Sequence, residues 1–527
     1  MVNHLELSTF EHNYIEEWIQ SKYSQWAESL QFRGYVMTKK KSDLKWSSSI
    51  LALTSYHLIL FSEGKDMTRK APKIYHVYDI KQLINKVDNV LAIVLQRGKQ
   101  KSKLKVKTEC LEQLFVAVRR LKQIQHGDHC AAELTITIKS NVGLLQRGTG
   151  GNGANNNGTS NGNDTTSSST SYTIDTFMDS YRGWCSYYLS TPNPTITGLL
   201  AKLYADGNRE LDLTGDNVQV SEFSDIDYDL IPLFNALMHD HYFIGLTVRD
   251  IKKDATMKAL AATVLHNSHL KRLSAKHCVN EAMHHLFLSL SLNKRSAIQI
   301  LDVSDDPLSN KATTSLIACM MQYQHALIHL DLSNCNIPPK QLSLLFEALE
   351  RNFGMSLTIE LLNVSNNKFD EQTNAAFASW IIKSQGHSKL KHLLLNGTGI
   401  SAYSFYSLRH LARLEHLDVS NNKLELGGDL EKLLAVLSTQ TLYRLECNNC
   451  HISKMVAAVI LIKMSEKKVS VHLELMGMTL TTADESYEDF LDALCLFRES
   501  ENSIKRLNLK QLRGTEKDNP LVAPGVG

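Results

Sequence analysis

The chain has 527 residues, 43% of them hydrophobic and 21% charged, with a formal net charge of +2. That length predicts two or three domains, and the near-neutral balance excludes a molecule built as a whole to hold polyanions. No basic start followed by an apolar run opens the sequence, and no apolar run approaches the roughly 18 residues of a membrane span. Neither a secretory signal nor a spanning helix is therefore expected. Nine scattered cysteines suit reduced thiols and a cytoplasmic location.

Residues 1–30 form the first predicted element. "FEHNYIEEWIQSKYSQWAESL" (10–30) places Phe10, Tyr14, Ile15, Trp18, Tyr23 and Trp26 mostly at helical intervals, which predicts a docking helix. In residues 31–127, "RGYVMTKKK", "SSILALTSYHLILFSEG", "KIYHVYDI" and "NVLAIVLQRG" read as strands separated by polar turns. "TECLEQLFVAVRRLKQIQ" then places Leu111, Leu114, Phe115, Val118 and Leu121 on one helical face, with Thr108 as N-cap. Antiparallel strands closed by one amphipathic helix predict a PH-like (pleckstrin-homology-like) β-barrel. Residues 128–172 are expected to be a linker. Its core "GTGGNGANNNGTSNGNDTTSSSTS" (148–171) holds too little apolar area to offset the entropy of ordering.

After this tether the chain repeats itself. "LIHLDLSNCNI" (327–337), "IELLNVSNNKF" (359–369), "LKHLLLNGTGI" (390–400), "LEHLDVSNNKL" (414–424) and "LYRLECNNCHI" (442–452) align on L-x-x-L-x-L-x-x-N/C/T-x-L/I/F. With weaker copies, the fourth position falls on Leu211, Leu246, Leu273, Leu301, Leu330, Leu362, Leu393, Leu417, Leu445, Leu473 and Leu507. Intervals of 24 to 35 residues leave room for a helix in each copy. They predict an α/β leucine-rich repeat solenoid of the ribonuclease-inhibitor-like class, with about 11 repeats over 208–514. Residues 173–207 would cap it and 515–527 would be a tail.

Two charge patterns are candidate sites. In "RGKQKSKLKVK", Arg97, Lys99, Lys101, Lys103, Lys105 and Lys107 alternate with no acid between them. On a single strand all six emerge on one side. With Lys39, Lys40, Lys41 and Lys45 of the first hairpin they could meet an anionic phospholipid surface, each cation contributing about 1 kcal/mol. Protection of an edge strand by lysines stands beside that reading. Nucleic acid is not the expected partner, because no exposed aromatics interleave with the lysines.

The second pattern lies on the repeats. Third positions hold His329, His392, His416, Arg444 and His472; fifth positions hold Asp302, Asp331, Asp418, Glu446 and Glu474. Both rows fall on the concave face, where they either pair with one another or dock a charged protein. Cys447 and Cys450 take core positions of their repeat, and no second C-x-x-C completes a metal site. Neither a nucleotide-binding nor a catalytic motif appears, so no enzyme activity, cofactor or metal is expected.

The order of barrel, spacer and long-period solenoid resembles the CARMIL family (capping protein and myosin I linkers). "DSYRGWCSYYLSTPNPTITGLLAKLYADGNRELDLTGDNV" (179–218) is similar to the segment leading that family into its first repeat. The resemblance implies a peripheral scaffold at the plasma membrane or cell cortex, with actin-regulatory protein partners and a role in cell migration. The family's basic, proline-rich tail has no counterpart after Leu509, so its capping-protein activity is carried over to no residue. A GTPase-activating protein on the same kind of solenoid is the alternative.

Overall fold

The computed structural model describes residues 7–26, 28–40, 45–86, 90–126, 135–138, 174–214, 230–278, 281–424, 426, 429–450, 452–467, 469–476, 487–499 and 505–508. Two compact units emerge. The first comprises Met1–Asn208 with Asp229–Tyr242, the second Arg209–Tyr228 with Phe243–Gly527.

In the first unit, helix α1 (Thr9–Tyr23) opens with a capping box, Ser8 and Glu11 satisfying each other's backbone N–H groups. Strands β1 (Leu30–Lys40), β2 (Ser47–Thr54) and β3 (His57–Phe61) follow, then a single turn α2 (Asp66–Arg69) and β4 (Lys73–His76). After these come β5 (Ile80–Lys86), β6 (Val90–Arg97), β7 (Gln100–Lys107) and α3 (Leu111–His126). The strand order is β4-β3-β2-β1-β7-β6-β5, with β1 pairing along its first part with β2 and at its end with β7. That bent antiparallel sheet wraps a core of Leu51, Leu53, Leu58, Ile80, Leu91, Ile93, Leu104 and Val106. Helix α3 closes the core with Leu114, Phe115, Val118 and Leu121, the face its periodicity predicts. Thr108 accepts the N–H of Cys110 and donates to the Tyr35 carbonyl, so it stitches α3 to β1.

Strand β8 (Thr135–Ile138) pairs in parallel with β5 inside the stretch expected to be linker. Its Thr-Ile-Thr-Ile alternation is a strand signal that the composition of the following tether masks. The tether at 148–171 and the tail at 515–527 lie outside the described residues.

Helix α1 docks by its aromatic face. Tyr14 and Trp18 meet Phe61 edge-on at centroid distances of 6.4 and 5.4 Å, and Tyr35 donates to the buried Glu11 carboxylate at 2.7 Å. At its end, Tyr23 stacks on His57 at 4.4 Å, and His57 Nδ1 lies 2.9 Å from the Glu28 carboxylate, whose side chain is fully buried.

Residues expected to cap the solenoid belong to this first unit. Helix α4 (Ile174–Tyr188) packs on the turn between β4 and β5. Tyr78 donates to the Ser180 carbonyl at 3.3 Å, Tyr187 donates to Asp79 at 3.2 Å, and Trp26 Nε1 donates to the Ser190 carbonyl at 2.8 Å. Helices α5 (Pro194–Ala205) and α6 (Ile231–Leu237) complete the unit. Gly183 is what lets α4 approach: a Cβ there would lie 2.2 Å from Tyr78 Oη and 2.9 Å from the Tyr56 ring.

The second unit is a parallel array. Strands β9 (Glu210–Asp212), β10 (Gly245–Arg249), β11 (Arg272–Lys276), β12 (Ile300–Asp302) and β13 (His329–Asp331) come first. Then follow β14 (Leu361–Asn363), β15 (His392–Leu394), β16 (His416–Asp418), β17 (Arg444–Glu446), β18 (Val471–Glu474) and β19 (Lys505–Asn508). They form one 11-stranded sheet in sequence order. The leucines from Leu211 to Leu507 that align in the sequence stand directly opposite one another across every pair.

Helices between strands cover this column. Pro339–Arg351, for example, buries Leu342, Leu345, Phe346 and Leu349. After most strands the chain turns through a left-handed residue. Asp250, His277, Asp305, Asn334, Asn366, Gly397, Asn421 and Asn449 have φ between +54° and +66°, a conformation that Asn, Asp and Gly tolerate best. The next residue points inward and satisfies the backbone: Asn367 donates to the Leu332 carbonyl at 2.8 Å, Asn422 to the Val419 carbonyl at 2.7 Å.

Gly183→Ala is expected to destabilise the first unit by about 1–3 kcal/mol through overpacking. Gly198→Ala, in α5 with open space around the new Cβ, should stabilise by up to about 1 kcal/mol. Chemical denaturation of the two variants checks both.

Candidate functional site

The basic stretch divides between two faces of its hairpin. Gly98, at φ +58°, and Lys99 make a two-residue turn, and Arg97 pairs with Gln100. Across such a turn residue 97 shares a face with 100, 102 and 104, not with the odd-numbered lysines. Leu104 and Val106 point into the core, so Lys101, Lys103, Lys105 and Lys107 rise from the outer face beside Gln96, Val94, Ala92 and Val90 of β6. Lys39 of β1 stands directly opposite Lys105, extending the ridge to five lysines. Like charges placed opposite one another cost stability unless an anion or solvent screens them.

The single row of six cations is thereby corrected. Arg97 faces the other way, its guanidinium carbon 5.3 Å from the centre of the Tyr187 ring in α4, and it lines a cavity of about 460 Å³ with Tyr75, Asp79, Gln100, Lys101 and Ser102. Lys99 is exposed in the turn and Lys45 just before β2. Lys40 ends β1 opposite Leu104, its side chain outside the description, and Lys41 lies outside the described residues.

On the second unit the predicted rows are brought together as two columns across β12 to β18. Much of the acidic column serves the turns. Asp302, Asp331 and Asp418 each accept, through Oδ1, the N–H of the serine two residues on, at 3.1, 2.9 and 2.9 Å. Their second oxygens are engaged as well: Lys276 lies 3.0 Å from Asp302, Asn363 donates to Asp331 at 3.0 Å and Asn396 donates to Asp418 at 3.4 Å. Glu446 binds His416 Nε2 at 3.0 Å and Arg444 Nε at 2.7 Å; Glu474 binds His472 Nε2 at 2.9 Å. Only Glu446 and Glu474 pair with the third-position row; Asp302, Asp331 and Asp418 are held by turn serines and by Lys276, Asn363 and Asn396 from outside it.

Electrostatics follow. Burial pushes the Asp302 carboxyl up, but Ser304 and Lys276 more than offset it and its pKa is lowered. The hydrogen bond from His416 holds Glu446 low as well, against burial and with Arg444 assisting. Burial depresses the pKa of His329 and His392, favouring their neutral forms; the His392 ring meets His416 edge-on at 5.9 Å.

Two features were missed from sequence. Lys276 reaches both Asp302 and Asp305, at 3.0 and 3.7 Å. Gly245, where a Cβ would lie 1.6 Å from Glu210 Oε2, lets Glu210 reach Arg272 at 3.3 Å. The second had a signal, a glycine where other copies carry a large third-position residue. Cys447 and Cys450 are 1% and 2% exposed, and Cys450 Sγ lies 3.0 Å from the Val419 carbonyl. Among the described residues no group of three His, Cys, Asp or Glu side chains could hold a metal ion, and no helix is long and apolar enough to cross a membrane.

No family model matches the chain. It is similar to a Rho GTPase-activating protein, gacW, of Dictyostelium discoideum, 24% identical over 250 residues, or 47% of this chain and 21% of that protein. It is also similar to Protein CARMIL of the same organism, 23% identical over 254 residues, 47% of this chain and 24% of that protein. The chain thus spans less than a quarter of the length of either relative. Among solved structures, the PH domain from TgAPH covers 17% of this chain at 14% identity and TM-score 0.14, over 78% of its own length. The hSac2 domain from human phosphoinositide phosphatase Sac2 covers 26% at 11% identity and TM-score 0.18, over 92% of its own. At such scores the barrel rests on its own strand order.

Asp331→Ala removes the acceptor for Ser333 and the partner of Asn363, and should cost about 1–3 kcal/mol. An unchanged melting temperature would return the acidic column to a docking role. Depressed carboxyls at Asp302 and Glu446 stabilise the fold above their unfolded pKa values, near pH 4, and that contribution is lost as pH falls further. Melting temperature should therefore drop on acidification below about pH 4, and less so in Glu446→Gln.

Proposed function

We propose that the chain is a non-enzymatic, membrane-associated scaffold. Its PH-like unit meets anionic lipid, and its leucine-rich repeat solenoid holds a protein partner. The observation that carries the reading is the ridge of Lys39, Lys101, Lys103, Lys105 and Lys107, five cations whose register sets them on one outer face of the sheet. Five lysines at about 1 kcal/mol each are enough to hold a soluble chain reversibly at an anionic leaflet.

Similarity to Protein CARMIL supports actin-regulatory partners, and the family resemblance read from the sequence adds a place at the cell cortex and a role in cell migration to the proposal. The partner's site on the solenoid would be the part of the concave face around His329, Leu361 and His392, which are half-buried rather than covered. No cofactor enters this scheme.

The gacW relative supports a second reading, stimulation of GTP hydrolysis by a Rho-type GTPase. Sedimentation with phosphatidylserine vesicles tests the first: Lys103→Gln with Lys105→Gln should lower the partition coefficient by about thirtyfold, at 1 kcal/mol per charge. Undiminished binding would remove the ridge from the scheme. Accelerated GTP turnover on adding the protein to Rho-type GTPases would replace the scaffold with the enzyme regulator.

A further inference from the structure

Parallel strands in register put every loop that leads from a helix into the next strand on one side of the sheet. The leucine-to-leucine register keeps those loops level. Along that side, four successive helix ends carry an exposed apolar side chain. Leu292 ends Met283–Leu292 and is 58% exposed; Met321, next to last in Asn310–Gln322, is 44% exposed. Phe353, just past Pro339–Arg351, is 51% exposed, and Ile382, next to last in Glu371–Lys383, is 38% exposed. The same helices bury Leu290, Met320, Leu349 and Ile381, so their apolar stripes are already spent inward.

The loops between carry more cations than acids. Lys294, Arg295 and Lys389 are exposed in two of them, while 323–328 and 352–358 hold neither Lys nor Arg; the one acid, Glu360, is paired with Lys391 at 2.8 Å. The acids nearest on the helices are engaged: Glu347 lies 3.6 Å from Arg351, and Glu350 is bonded to Lys383. The backbone under the tips is fixed. Asn293 donates to the Val264 and Asn267 carbonyls at 2.7 and 2.8 Å, and Asn352 to those of Met320 and Tyr323 at 2.7 and 2.9 Å.

We propose that this edge of the parallel array contacts an anionic bilayer, the four apolar tips entering the boundary between headgroups and acyl chains while the flanking cations hold headgroups. Neighbouring helices stand about 8–10 Å apart, so each tip is spaced from the next instead of merging into one pocket. A protein anchor needs a contiguous, fully desolvated pocket, whereas a fluid surface accommodates separate tips on a level row. The proposal rests on the reading of the chain as a peripheral membrane protein, but it places the contact on the second unit.

The test uses the full chain and vesicles of phosphatidylserine and phosphatidylcholine. Leu292→Ser with Phe353→Ser is expected to lower the partition coefficient about tenfold while leaving melting unchanged, since both side chains are largely exposed. A Phe353→Trp variant, read as a difference from the parent, should shift its emission to the blue on anionic vesicles and be quenched by brominated acyl chains. Full retention of binding by the double serine variant, or no spectral shift, overturns the proposal. If the Lys103→Gln, Lys105→Gln variant loses binding while the serine variant does not, the ridge alone is the contact; the converse removes the ridge and keeps this edge. Soluble polyglutamate binding that depends on Leu292 and Phe353 would assign the edge to an acidic protein instead.

Discussion

A strand of three residues offers too few hydrogen bonds to persist alone, and most strands of the second unit are that short. What holds them is the column of leucines, one per strand, standing opposite the next from Leu211 to Leu507 and almost wholly inaccessible from Leu211 to Leu473. Burying a leucine stabilises by about 1.5–3 kcal/mol, but only if a neighbour on each side supplies the cover. The column therefore forces parallel register. The register then sets the positions of the turn residues, the charged columns and the level loops.

The first unit solves a different problem. Its sheet has two outer faces to dispose of. One is covered by α1, which buries Ile50, Ala52 and Phe61 beneath an aromatic helix. The other carries the lysine ridge, with Val90, Ala92 and Val94 buried between the lysine stems and the sheet's neighbours. Between these faces the turn joining β4 and β5 is sealed by α4, through rings on both sides: Tyr78 and Trp184 at 4.6 Å, His76 and Tyr187 at 5.0 Å. Gly183 is the small residue that permits such close approach.

Much of this was legible in the residues. The eleven leucine positions were readable because burial repeats at fixed offsets, and the closing helix because Leu114, Phe115, Val118 and Leu121 lie on one face. The aromatic docking of α1 was readable for the same reason. The charged surface was less so. Alternation in "RGKQKSKLKVK" holds only while the strand continues, and Gly98 reverses it, so Arg97 left the row. Pairing of the acidic column with serines two residues on was local and could have been read from "LDVS" and "LDLS". Lys276 with Asp302, and Glu210 with Arg272 across Gly245, join different strands, which no single repeat discloses. The membership of α4 in the first unit was hidden because its partners, Tyr56, Tyr78 and Asp79, lie about a hundred residues earlier.

The path of the backbone has a topological corollary. The chain leaves the first unit after Asn208, supplies the opening strand of the second, returns for Asp229–Tyr242 and only then departs for good. No single scission of the polypeptide yields both bodies whole: a cut after 208 deprives one of α6, and a cut after 242 deprives the other of β9. Biological truncation, splicing or limited digestion at either junction would thus produce one intact body beside an incomplete one, and independent inheritance of the two halves as separate genes would require the connection to be rebuilt.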